Sequence, residues 1–250
     1  MASIDDDFVQ KISSNVINNY QQTTKWVPLS LTHVEYPQGD SFGHFLALIS
    51  LIPFAIIAGF VTLILFRRDL HTICFFIGII VNDILGLFLK YTIKEERPIR
   101  RDIIYVEYGM PSTHSQLMWF FTIYTILFVC LRMHHSNNST TSEKFWRWTI
   151  IGGCTFVALL VTYSRIYLQY HTLSQVFWGF IVGGLFGITW FFLTHQVFTP
   201  FFPMIVSWRI SEYLLIRDTT LIPNVLWFEY TNTRTEMRAR SRKLVSMKSQ

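Results

Sequence analysis

The fold class this sequence predicts is all-α, a polytopic membrane helix bundle with about five spans. Three observations predict it. Of the 250 residues, 51% are hydrophobic and the mean hydropathy is +0.33, more apolar surface than a soluble domain of this length carries. The 23 Phe, 11 Tyr and 8 Trp give the aromatic load of lipid-facing and interfacial surfaces. Apolar runs close to the roughly 20 residues needed to cross the hydrocarbon core recur along the chain.

In chain order, a polar N-terminal segment, 1–43, opens with Asp5, Asp6 and Asp7, the reverse of the basic start of a cleavable signal. The first span, 44–66, is uninterrupted. The second, 72–93, is long enough but carries Asn82, Asp83 and Lys90. The third, 115–131, is clean and slightly short. The fourth and fifth, 145–163 and 174–193, complete a transmembrane core over 44–195. Beyond it, "VFTPFFPMIVSW" at 197–208 is short and holds Pro200 and Pro203, so it reads as interfacial or re-entrant. The segment 196–250 ends in a basic tail from 231, read as a frayed helix on a membrane surface. Cys74, Cys130 and Cys154 are odd in number, widely spaced and inside apolar runs. They form neither a disulfide framework nor a metal spacing and read as small hydrophobes.

Five spans sort the loops. The N-terminus, 94–114 and 164–173 fall on one side, and 67–71, 133–145 and the C-terminus on the other. Arg67, Arg68, Arg132, Lys144 and Arg147 on the second side mark it as cytosolic. Lys94, Arg97, Arg100 and Arg101 argue the other way and are set aside as functional. The two glycosylation acceptor patterns in "NNST", at Asn137 and Asn138, then lie on the cytosolic side and stay unmodified.

Three clusters share the first side. "KYTIKEERP" holds Lys90, then Arg97 and Pro98. "GMPSTHSQ" holds Pro111, Ser112 and His114 at the start of the third span. "SRIYLQYH" holds Ser164, Arg165 and His171. Taken singly, each cation is an ordinary interfacial side chain with its head in water, and each His an ordinary interface residue. Together they offer three cations, a hydroxyl and two imidazoles. Lys and Arg suit phosphate oxygens, Arg in bidentate fashion, and the start of the third span adds free N–H groups. "THSQ", 113–116, has the capping-box pattern that sets that start. Two histidines allow one to attack phosphorus and the other to protonate the leaving oxygen. Fixed cations supply charge neutralisation without magnesium, and no metal-ligand pattern accompanies them.

Lys90-(six)-Arg97-Pro98, Pro111-Ser112-Thr113-His114 and Ser164-Arg165-(five)-His171 resemble the three-part signature of the type 2 phosphatidic acid phosphatase superfamily. From about residue 29 to 243, stretches such as "YGMPSTHSQLMWFF" and "LIRDTTLIPNVLWFEYTNTR" are similar to its polyprenyl diphosphate phosphatase branch. The resemblance implies His171 as nucleophile and His114 as acid, with Lys90, Arg97, Ser112 and Arg165 on phosphate oxygens. It implies hydrolysis of dolichyl diphosphate to dolichyl phosphate and phosphate, on the luminal face of the endoplasmic reticulum membrane, in recycling the carrier for protein N-glycosylation. A broader lipid phosphate phosphatase and a lipid phosphotransferase are the alternatives. The partners implied are the membrane and its polyprenyl diphosphate lipid. No metal, cofactor, nucleic acid or obligate protein partner is expected. The departure is Gln175, where the superfamily has Asp. Gln175 either accepts the Nδ1–H of His171 or completes a second capping box, "TLSQ" at 172–175. Asp83, two turns before Lys90, either neutralises that lysine or supplies the charge missing at 175.

Overall fold

The computed structural model describes residues 26–29, 34–99, 108–132, 141–222 and 225–248. The acidic start, Arg100, Arg101 and the acceptor patterns at Asn137 and Asn138 lie outside the described residues. Among the described residues, five helices are long and apolar enough to cross a membrane: Ser41–Arg67, Leu70–Ile93, Thr113–Leu131, Lys144–Tyr167 and Leu173–Val206. The elements are a hairpin β1 (Trp26–Pro28) and β2 (Glu35–Pro37), then α1 (Ser41–Ile49), α2 (Ile52–Arg67), α3 (Leu70–Ile93), α4 (Thr113–Leu127), α5 (Thr141–Tyr167), α6 (Leu173–Phe192), α7 (Phe202–Val206), α8 (Arg209–Leu214) and α9 (Val225–Lys248).

Their boundaries follow from local chemistry. Asp40 caps α1 by accepting from Phe42 N–H at 3.0 Å. Pro53 sits in the first turn of α2, where its missing N–H costs nothing. Asp69 caps α3, its Oδ2 accepting from Thr72 N–H at 3.1 Å. Lys94, with φ of 56°, turns the chain out of α3 in the left-handed conformation, and Gln169, with φ of 54°, does the same after α5. The helical path does not end near 195. After α6 it continues through a π-turn, Leu193–Phe198, and a 3-10 turn, Thr199–Phe201, into α7. Pro200 and Pro203 each fall at the first positions of a new turn, where proline is tolerated, so the segment read as interfacial or re-entrant prolongs the fifth candidate span. The tail, expected to fray, forms the 24-residue helix α9.

The chain divides into two compact units. One comprises the described parts of Met1–Ala55, Asp83–Trp119 and Thr155–Gly183; the other comprises those of Ile56–Asn82, Phe120–Cys154 and Gly184–Gln250. The first unit has a small core of Ala47, Leu168 and Tyr170, with Val34 and Tyr36 of the hairpin against it. Tyr167 donates to Asp40 Oδ2 at 2.9 Å, and Glu35 N–H donates to Tyr170 Oη at 2.8 Å, so the hairpin is pinned to the end of α5. Glycines let α6 approach α4 closely. A Cβ on Gly179 would lie 2.7 Å from the Ser112 carbonyl, and Gly183 backs onto the Gln116 main chain. The second unit is built on rings, with Phe75 stacked on Tyr124 at 3.9 Å and on Phe121 at 5.7 Å. There Arg217 donates to the Arg67 carbonyl at 2.8 Å and to Glu229 at 3.2 Å.

Candidate active site

Every candidate site residue belongs to the first unit. Lys90 is in the last turn of α3, and the left-handed turn at Lys94 folds the chain back toward Arg97. Ser112 immediately precedes α4 and His114 stands in its first turn. Arg165 is in the last turn of α5, where its carbonyl accepts from Tyr170 N–H at 3.0 Å and His171 N–H at 3.2 Å. That tight exit brings His171 back beside its own helix end before α6 begins.

The ends of α4 and α6 are stapled together. Ser112 N–H donates to the Gln175 carbonyl at 3.1 Å, and Ser115 Oγ donates to the Val176 carbonyl at 2.9 Å. Ser112 and Gln175 are fully buried, and Lys90, Arg165 and His171 nearly so. The Ser112 hydroxyl is buried with no hydrogen-bond partner among the described residues. A buried hydroxyl in that state has an unmet need that a phosphate oxygen meets. The Arg165 guanidinium lies 4.1 Å above the Tyr170 ring, and the Phe54 ring meets His114 edge-on at 5.8 Å. Burial, then the charges of Arg165, Arg97 and Lys90, hold the His171 imidazole well below its ordinary value of 6.5, while the Gln175 hydrogen bond acts the other way.

Gln175 makes the contacts of both roles weighed for it. Its Oε1 accepts from Thr172 N–H at 3.3 Å while its own N–H donates to Thr172 Oγ1 at 3.3 Å, a reciprocal capping box. The same Oε1 faces His171 Nδ1 at 3.2 Å. Its Nε2 donates to Glu95 Oε1 at 2.9 Å and to the Glu96 carbonyl at 2.7 Å. These neighbours fix the chemistry. Thr172 N–H can only donate, and the Glu96 carbonyl can only accept, so the amide has one orientation. His171 Nδ1 therefore carries the proton toward Oε1, and Nε2 keeps its lone pair. The box expected at Thr113–Gln116 is a different case, because the Gln116 amide lies against α3, where a Cβ on Gly86 would be 2.6 Å from its Oε1.

Glu95 and Gly109 escape sequence reasoning. Gly109 N–H donates to the Glu95 carbonyl at 2.7 Å, and a Cβ there would lie 2.5 Å from Gln175 Oε1. Asp83, weighed as a source of charge, is not the carboxylate that Gln175 contacts. Among the described residues, no group of three or more His, Cys, Asp or Glu gathers as a ligand set.

Helices long enough to span a membrane deliver cations, two imidazoles and an unpartnered hydroxyl to one unit, an arrangement suited to a phosphate group. The chain matches the PAP2 superfamily over residues 71–199 and belongs to it. Its sequence is 54% identical to "Dolichyldiphosphatase 1" of Homo sapiens over 88% of this chain and 93% of that protein. It is 40% identical to "Lipid phosphate phosphatase gamma" of Arabidopsis thaliana over 82% of this chain and 90% of that one. The Saccharomyces cerevisiae "Dolichyldiphosphatase" is 32% identical over 67% of this chain and 70% of its own length. The fold resembles the crystal structure of a transmembrane PAP2 type phosphatidylglycerolphosphate phosphatase from Bacillus subtilis, with a TM-score of 0.50 at 18% identity. That match covers 62% of this chain and 78% of the other.

Proposed function

We propose that this protein hydrolyses dolichyl diphosphate to dolichyl phosphate and inorganic phosphate through a phosphohistidine at His171. The observation that carries the reading is the buried His171 ring whose Nδ1 faces Gln175 Oε1 at 3.2 Å, which leaves Nε2 for phosphorus. Relatives that bear the name dolichyldiphosphatase and align over most of this chain support the substrate.

The terminal phosphoryl group lies with its oxygens on Lys90, Arg97, Arg165 and the Ser112 hydroxyl. Its negative charge is neutralised by side chains already in place. His171 Nε2 attacks that phosphorus, and the bond from phosphorus to the bridging oxygen breaks. His114 gives the bridging oxygen its proton, and dolichyl phosphate leaves. A water then attacks the phosphohistidine and gives a proton to His114, releasing inorganic phosphate and restoring His171. Gln175 holds the Nδ1–H throughout. The site faces the lumen of the endoplasmic reticulum, where the reaction returns the lipid carrier of N-glycosylation to its monophosphate.

The name of the Arabidopsis relative favours one second reading, a broader lipid phosphate phosphatase. Phosphate release by the purified protein from dolichyl diphosphate, phosphatidate and sphingosine phosphate separates the two. The first reading requires kcat/KM for dolichyl diphosphate to exceed the others by at least about tenfold, a difference of about 1.4 kcal/mol. Equal values would support the second.

A further inference from the structure

We propose that Glu95 is a positioning residue for His171, acting through the Gln175 carboxamide. The proposal rests on the reading of His171 as nucleophile. The chain of contacts runs from the Glu95 carboxylate to Gln175 Nε2 at 2.9 Å and from Gln175 Oε1 to His171 Nδ1 at 3.2 Å. Gln175 is fully buried, so its amide answers to these partners and not to bulk water. Both its N–H groups are committed to acceptors, Glu95 Oε1 and the Glu96 carbonyl. Flipping the amide would set an oxygen against both acceptors and an N–H against the N–H of Thr172. The Glu95 main chain is itself fixed, since its carbonyl accepts from Gly109 N–H at 2.7 Å.

The carboxylate does more than hold the amide still. A negative charge on the Nε2 side polarises the carboxamide and leaves more negative charge on Oε1. When His171 Nε2 takes the phosphoryl group, positive charge develops on the ring, and Nδ1–H then meets a stronger acceptor. A neutral amide alone orients an imidazole but does not stabilise the charged ring as a carboxylate does. In this site the charge stands one amide away from the ring.

Two single variants and their combination test this. Glu95→Gln keeps an acceptor for Gln175 Nε2 but removes the charge. Gln175→Glu alone sets a second carboxylate against Glu95. In the double variant, Glu95→Gln with Gln175→Glu, the new amide at 95 donates to a new carboxylate at 175 that holds His171 directly. Glu95→Gln should lower kcat about 10- to 100-fold, the scale on which outer partners of metal-bound histidines act. KM should not change. The acid limb of kcat/KM should move to lower pH, because a negative charge that favours the protonated ring is gone while Arg165, Arg97 and Lys90 remain. The double variant should be faster than either single variant. Wild-type kcat and an unmoved acid limb in Glu95→Gln, or a double variant no faster than both single ones, would overturn the role of Glu95. Wild-type phosphate release and its loss in His171→Ala are measured alongside. If those fail, the reading of the nucleophile falls; if they hold and Glu95→Gln behaves as wild type, only Glu95 falls.

Discussion

In the proposed mechanism His171 draws its reactivity from two separable sources. Gln175 decides which nitrogen is bare, and burial with the neighbouring cations decides that the ring is neutral. The ring protonates only below its ordinary value of 6.5, and the neutral form is the one that attacks. Activity is therefore retained as pH falls through 6.5 and is lost at a lower pH. A pH profile of kcat/KM checks this, and an acid limb above 6.5 would contradict it. Replacing His171 by Ala should abolish turnover. His114→Ala should cost about 10²–10⁴-fold, the usual share of a general acid, and less for a substrate with a better leaving group. A loss that does not depend on the leaving group would remove His114 from that role.

The site holds its geometry because α4 and α6 start against each other. Gly179 makes that approach possible, and a Cβ on it would meet the Ser112 carbonyl at 2.7 Å, main chain that cannot swing aside. Gly179→Ala should cost about 1–3 kcal/mol, the range for overpacking, and lower kcat by displacing Ser112. Thermal unfolding in detergent and turnover should fall together. In Gln175→Ala both the cap, worth about 1 kcal/mol, and the ring's partner disappear, so stability falls modestly and kcat much further. Most of these elements are legible in the sequence. Hydropathy finds the spans, because lipid demands long apolar runs. Lys90, Arg97, Ser112, Arg165, His171 and Gln175 stand at helix ends with fixed spacing. Glu95 is hidden although it lies between Lys90 and Arg97, because a turn after a helix has no periodicity to say which way a side chain faces. The run of α6 into α7 is hidden because Pro200 and Pro203 read as breakers, and only the intervening π- and 3-10 turns place them where proline fits.

At the scale of the whole molecule, five candidate spans make this a multi-pass membrane protein, and its reaction has a side. On the proposed luminal placement of the site, Asn137 and Asn138 stay in the cytosol and unglycosylated. A glycosidase-sensitive mass shift that disappears when both are replaced would invert the orientation. Cations in the phosphate-binding role proposed for Lys90, Arg97 and Arg165 make chelators harmless, so phosphate release should continue in EDTA; loss of activity restored by magnesium would contradict this. The central claim is that phosphate passes through His171. Its most direct measurement is a rapid quench of the purified protein with dolichyl diphosphate labelled in the terminal phosphate. The account predicts an acid-labile, base-stable label on the protein, formed as dolichyl phosphate appears and absent in His171→Ala. Turnover of dolichyl diphosphate by His171→Ala at the wild-type rate, or label that survives in that variant, would contradict it.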